Sequence, residues 1–260
     1  RLPGLPAPPA VAPNADRIAL ALLAMAQLRP PEPEPPVALP PLAPLSSAPG
    51  NRRVSGSFWL IARGGDALGP APLGGQLGGS QAGLRLAYPL DRRGRFAVAA
   101  RFATPLEGPG REAAIGIEWR PTRAPVRLVA EQRIAIDGGG GGPSLGVVAG
   151  LGPVALHGFR LEAYGQAGVI ARGRGIGYVD GAARLERRVA GNDKVALSLG
   201  GGGWGGAQPG ASRFDVGPTA SLTFPVARQR LRLSLEWRER IYGAARPDSG
   251  LALTLGGDIQ

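Results

Sequence analysis

The chain has 260 residues, 43 of them Gly and 27 Pro, and a formal charge of +11 that is carried almost wholly by Arg, Lys194 being the sole lysine. With no Cys, a disulfide scaffold, a cysteine-ligated zinc site and thiol chemistry are excluded; the glycines lack the three-residue period of collagen, and no apolar run reaches the roughly 18 residues of a membrane helix. A disordered chain, a soluble β-domain and a membrane β-barrel remain, and residue order has to decide among them.

Residues 1–50 hold 14 of the 27 prolines but only Gly4 and Gly50 among the glycines. Their charges cancel, Arg1, Arg17 and Arg29 standing against Asp16, Glu32 and Glu34. The run from Pro30 to Pro36 reads as an extended polyproline linker, because proline lacks the backbone donor and fixes φ. Before it, Asp16 to Arg29 reads as a short helix near 16–29: Asp16 caps the start, Arg29 suits the C-terminal dipole and Pro30 stops it. A rival reading makes 17–26 the remnant of a secretory signal, with Ala24-Met25-Ala26 as an A-x-A site. The expectation is a Pro-rich N-terminal extension over 1–50 and a separate domain over 51–260.

From residue 51 onward the period is two. In Leu231-Arg232-Leu233-Ser234-Leu235-Glu236-Trp237-Arg238 the odd positions are apolar and the even ones polar, which is a strand with two unlike faces. The same alternation runs through 113–120, 159–166 and 214–224. Twelve strands follow, near 54–64, 80–90, 95–104, 112–120, 126–137, 144–155, 159–172, 176–190, 194–207, 213–226, 230–243 and 249–259. Turn residues separate them, such as Asp91-Arg92-Arg93-Gly94, 121–125, Gly191-Asn192-Asp193 and 246–249. No helical segment interrupts them, so the fold class is all-β: an antiparallel up-and-down barrel of about 12 strands.

The polar face decides between soluble and membrane barrels, since a lipid-facing barrel turns its apolar residues outward and its polar residues into the lumen. Strands of 9–14 residues suit a tilted bilayer crossing, which takes about 9–11. The lumen-lining set expected from alternation is Arg101, Arg120, Arg127, Glu131, Arg133, Arg160, Glu162, Arg184, Glu186, Arg232, Glu236 and Arg238, with Glu112, Glu118 and Asp215 on the same face. The chain is therefore expected in the bacterial outer membrane, in contact with its lipid, with both termini in the periplasm because the strand count is even. Phe58, Trp59, Tyr88, Phe96, Phe102, Trp119, Phe159, Phe214, Phe224 and Trp237 are expected to form an aromatic girdle.

A family resemblance enters at Glu112-Ala113-Ala114-Ile115-Gly116-Ile117-Glu118-Trp119-Arg120-Pro121, followed by 125–133 and by Arg213-Phe214-Asp215-Val216-Gly217-Pro218. These segments resemble the C-terminal barrel region of outer-membrane exopolysaccharide exporters and of the related phage-adsorption protein. Asp248-x-Gly250-x-x-Leu253-x-Leu255 is similar to the C-terminal recognition signal of outer-membrane barrels. The resemblance implies an outer-membrane protein associated with surface glycan or phage attachment.

Catalytic chemistry finds little to work with. His157 is the single histidine and falls in a turn, with no serine beside it on one face. Glu131 and Glu162 sit among arginines and read as ion-paired lumen filling. Gly138–Gly142 reads as an outer loop and Gly200–Gly203 as a place of close approach; neither has the context of a phosphate loop. The arginines are spread one or two per strand, so nucleic acid is not the expected partner. No enzyme activity and no cofactor or metal is expected. Two functions are: a small anion-leaning pore or exopolysaccharide-export outlet, with an anionic solute or polysaccharide as partner, and a closed anchor or receptor whose residues 1–50 bind a periplasmic or envelope protein.

Overall fold

The computed structural model describes residues 54–63, 79–137, 141–192, 194–227 and 229–259. Residues 1–53, including the short helix expected near 16–29, and most of the loop after residue 63 lie outside the described residues. Twelve strands follow one another: β1 (Ser55–Arg63), β2 (Gln81–Pro89), β3 (Phe96–Pro105), β4 (Glu112–Trp119), β5 (Val126–Ala135), β6 (Gly142–Leu156), β7 (Phe159–Ile170), β8 (Ile176–Gly191), β9 (Ala196–Gln208), β10 (Ala211–Val226), β11 (Gln229–Gly243) and β12 (Gly250–Ile259). Each lies within two residues of its sequence expectation. All neighbours pair antiparallel, and β1 closes the barrel on β12 in a register running from Gly56↔Ile259 to Arg63↔Ala252. Closure leaves no free strand edge.

An antiparallel meander puts alternate turns at opposite ends. One end, the terminal rim, holds the start of β1, the end of β12, the turns 90–95, 120–125 and 157–158, and residues 192, 194–195 and 227 of the turns after β8 and β10. The other, the distal rim, holds 106–111, 136–137 with 141, 171–175, 209–210 and 244–249. Gly138 to Gly140, the heart of the expected glycine loop, lie outside the described residues, while Gly142 opens β6. His157 and Gly158 make a two-residue hairpin with φ of 49° and 82°, the left-handed pair that matches strand twist.

The wall is inside out relative to a soluble protein. On β11, Leu235 and Trp237 are 51% and 44% exposed on the outer face, whereas Glu236 between them is 0% exposed in the lumen. Ile115, Ile117, Leu145, Val169, Val179 and Leu253 continue the apolar outer band around the barrel. Exposed apolar surface costs about 25 cal/mol per Å² in water, so a band on this scale needs a lipid-like surrounding. The apolar-out, polar-in distribution is that of a barrel that crosses a bilayer. Among the described residues no helix is long and apolar enough to cross a membrane, so strands are what would cross it.

One aromatic departs from the girdle. Trp59 is buried inside, on the lumen face that it shares with Ser57, Ile61 and Arg63, and its indole fills the space above Gly83, where an added Cβ would meet Cζ2 at 2.0 Å. The stretch from Phe58 to Ala62 is apolar on both faces, so alternation alone could not tell which one turns inward.

Candidate functional site: the charged lumen

The lumen-facing rows of the strands place arginines and carboxylates on two walls. On the β2–β6 wall, Glu118 is the hub. Arg85 Nε donates to its Oε1 at 2.8 Å, Arg85 Nη2 also grips it, and Arg127 Nη1 donates to Oε2 at 3.1 Å. Nearer the distal rim, Arg101 Nη2 donates to Glu112 Oε1 at 3.0 Å and to Glu131 Oε1 at 2.8 Å, and Arg133 Nε lies 2.9 Å from the same Glu131 oxygen.

On the β7–β11 wall, Glu236 lies between two guanidinium groups. Arg184 Nη2 stands 2.8 Å from Oε1, and Arg238 Nε donates to Oε2 at 2.8 Å. Both guanidiniums face the Trp204 ring, at 5.7 Å and 4.6 Å from its centroid. Towards the terminal rim, Arg232 reaches from β11 to Glu162 on β7 and Glu186 on β8. Glu186 also accepts from Ser221 Oγ at 3.0 Å and Thr219 Oγ1 at 3.2 Å. Asp180 accepts from the Tyr164 hydroxyl at 3.3 Å and from Gln166 Nε2 at 3.4 Å.

A side-chain bridge joins the walls, and charged residues narrow the distal mouth. Arg133 on β5 donates from Nη2 to the Tyr178 hydroxyl on β8 at 2.9 Å and lies 5.0 Å from that ring's centroid. At the distal mouth Arg63 Nη1 and Arg213 Nε converge on Asp215 Oδ2 at 3.2 and 3.0 Å. The loop between β11 and β12 is drawn into the same cluster: Arg213 Nη1 donates to the Pro247 carbonyl at 3.1 Å, Arg63 Nη2 to the Asp248 carbonyl at 3.3 Å, and Arg240 grips Pro247 as well. Ala245 and Pro247 are buried there.

These contacts are what the residue types require. A charge taken out of water is costly unless paired and hydrogen-bonded, and the guanidinium fork matches a carboxylate well. Asp215 and Glu236 are wholly buried, yet Glu112, Glu131, Glu162, Asp180 and Arg232 are half-buried, so solvent reaches the space between the walls.

Of the expected lumen set, Arg101, Arg127, Glu131, Arg133, Glu162, Arg184, Glu186, Arg232, Glu236 and Arg238 fall in these clusters. Arg120 and Arg160 do not: both are exposed at the terminal rim, Arg120 beyond the end of β4 and Arg160 reaching in only to Ser198 Oγ at 3.2 Å. Sequence reading passed over Arg63, Arg85, Arg213, Asp180, Tyr178 and Trp204. Arg85 was findable, since it alternates with Leu84 and Leu86.

The charge of the lumen is nearly balanced. Lumen arginines 63, 85, 101, 127, 133, 184, 213, 232, 238 and 240 face carboxylates 112, 118, 131, 162, 180, 186, 215 and 236, ten against eight. Most of the +11 is therefore elsewhere. His157 is exposed in its turn, and among the described residues no cluster of potential metal ligands is present.

No protein-family model matches the chain, and no curated protein matches it. Solved structures do. The β domain of the Bordetella autotransporter BrkA is 11% identical, with a TM-score of 0.40, over 80% of this chain and 99% of that one. A bacterial polysaccharide outer-membrane secretin is 11% identical, with a TM-score of 0.37, over 80% and 98%. An outer-membrane channel from Pseudomonas putida F1 is 16% identical, with a TM-score of 0.39, over 89% and 98%. At these identities and scores the likeness carries no functional weight.

Proposed function

We propose that the chain is a bacterial outer-membrane β-barrel, with both termini in the periplasm, that acts as a narrow channel for small anionic solutes. The single observation that supports it is the pairing of an apolar outer wall with a charged lumen whose central residues are half-solvated. The resemblance of 112–121 and 125–133 to exopolysaccharide exporters favours acidic surface glycans as the solute. Specificity then resides in the arginines that keep one face to solvent, chiefly Arg232, whose side chain is 24% exposed.

The test is single-channel recording of the purified full chain in planar bilayers. The channel reading expects steady current with anion preference, lowered by Arg232→Glu in a variant that keeps its β-sheet circular dichroism. A second reading, a closed anchor whose residues 1–50 bind an envelope partner, is favoured by the loop 244–249 folded into the distal mouth. Electrical silence decides for it.

A further inference from the structure

The terminal rim carries the charge that the lumen does not. Six strands carry a cation at or near the end of their lumen-facing rows there: Arg95 before β3, Arg120 after β4, Arg160 on β7, Arg188 on β8, Lys194 before β9 and Arg230 on β11. All six are exposed. Arg92, Arg93, Arg123 and Arg187 stand in the same turns or strand ends. Against these ten, the described residues of this rim supply Asp91 and Asp258. Asp91 is spent on its own turn, where Oδ1 accepts the Phe96 N–H at 2.8 Å.

The distal rim is unlike it. There Arg111, Arg172, Arg174 and Arg246 are balanced by Glu107, Asp137, Glu239 and Asp248, four against four among the described residues. Two features make the terminal rim a built ring rather than a scatter of surface charge. Its cations recur in one structural position, the terminal-rim end of the lumen-facing row, on six of the twelve strands. Arg95 and Arg120 are also fixed beside each other, since the Arg120 N–H donates to the Arg95 carbonyl at 2.7 Å directly below the stacked Phe96 and Trp119 rings.

We propose that this ring is an anion-binding mouth, which captures carboxylate- or phosphate-bearing solutes at the terminal end and gives the channel a preferred direction of entry. A ring of one sign at the opening of a low-dielectric tube focuses its field on the axis and raises the local concentration of counter-charged solute. The near-neutral lumen behind it, with its guanidiniums already paired, would then hold the anion only weakly, as passage requires. The inference rests on the channel reading for the word entry, but not for the binding.

The experiment compares the full chain in phosphatidylcholine nanodiscs with two double variants of equal charge change, R95Q/R120Q at the terminal rim and R174Q/R246Q at the distal rim. Inorganic tripolyphosphate serves as probe, with binding read by calorimetry at low and high salt. The proposal expects the terminal variant to lose affinity by about tenfold or more at low salt, the distal variant by less than about twofold, and the difference to shrink as salt screens the ring. Equal losses in the two variants, or no binding by the unaltered chain, overturn it. Single-channel current from the same preparations keeps the two claims apart. Rim-dependent binding without current removes the channel and leaves the mouth, whereas current without rim-dependent binding removes the mouth and leaves the channel.

Discussion

Glu236 on β11 and Arg184 on β8 meet at 2.8 Å across a chord of the barrel that skips two strands. The carboxylate is wholly buried, and its other oxygen serves Arg238. Replacing Glu236 by Gln removes the carboxylate that ion-pairs with both guanidiniums. Breaking a buried pair in this way costs about 3–5 kcal/mol, because the partner stays behind uncompensated. Urea unfolding of Glu236→Gln in detergent micelles should show a loss on that scale. An unchanged midpoint would mean that water already compensates the pair.

Gly83 and Trp59 form a second coupled pair. A methyl group at position 83 would stand 2.0 Å from the indole, so the ring must move. Gly83→Ala is expected to cost about 1–3 kcal/mol by overpacking. Removing the ring should relieve the clash, so W59A/G83A should cost less than the sum of its two single changes. Strict additivity in that cycle would place the indole elsewhere.

Outside the barrel wall, Asp137 ties the loop between β3 and β4 to the end of β5. Its Oδ2 accepts from Arg111 Nε at 2.9 Å, and its Oδ1 accepts the N–H groups of Arg111 and Gly110 at 2.7 and 2.9 Å. The Arg111 contact first, and the backbone donors after it, hold this carboxyl below the usual aspartate range. A depressed folded value means that the tether is fully present above the unfolded value of about 3.9 and is lost as pH falls through the folded one. Amide resonances of Gly110 and Arg111 should titrate below pH 4 in the unaltered chain and stay flat in Asp137→Asn. Titration at or above the ordinary aspartate value contradicts the tether.

The strands were legible because each repeats a two-residue pattern long enough to fix its face; β11 alone gives Leu, Leu, Leu and Trp outside against Arg, Ser, Glu and Arg inside. What alternation cannot supply is partnership. Nothing in the order of residues says that Arg232 will reach Glu162 seventy positions away, because that contact depends on closure and on strand tilt. Faces were lost where both are apolar, as around Trp59, and the lumen was overfilled with charge where strands end, as at Arg120. A period of two says which way a side chain points, but not how far along the strand the wall continues. That limit is why Arg120 and Arg160 looked like lining when both stand at the rim.

On the proposed channel reading, the Arg133–Tyr178 bridge sets what widening the lumen should do. Its 2.9 Å hydrogen bond joins the β2–β6 wall to the β7–β11 wall. Tyr178→Phe removes the hydroxyl but keeps the ring that Arg133 faces at 5.0 Å, so the lumen should widen little. Tyr178→Ala removes both contacts and the bulk of the ring. Tyr178 also fits against Gly168, where an added Cβ would meet the hydroxyl at 2.7 Å, so little else can occupy that space while the ring is there. Single-channel current should therefore rise in the order unaltered chain, Tyr178→Phe, Tyr178→Ala, with the second step the larger. If the alanine variant conducts no better than the unaltered chain, the constriction lies elsewhere, and the loop 244–249 held by Arg213 and Arg63 at the distal mouth is the next place to cut.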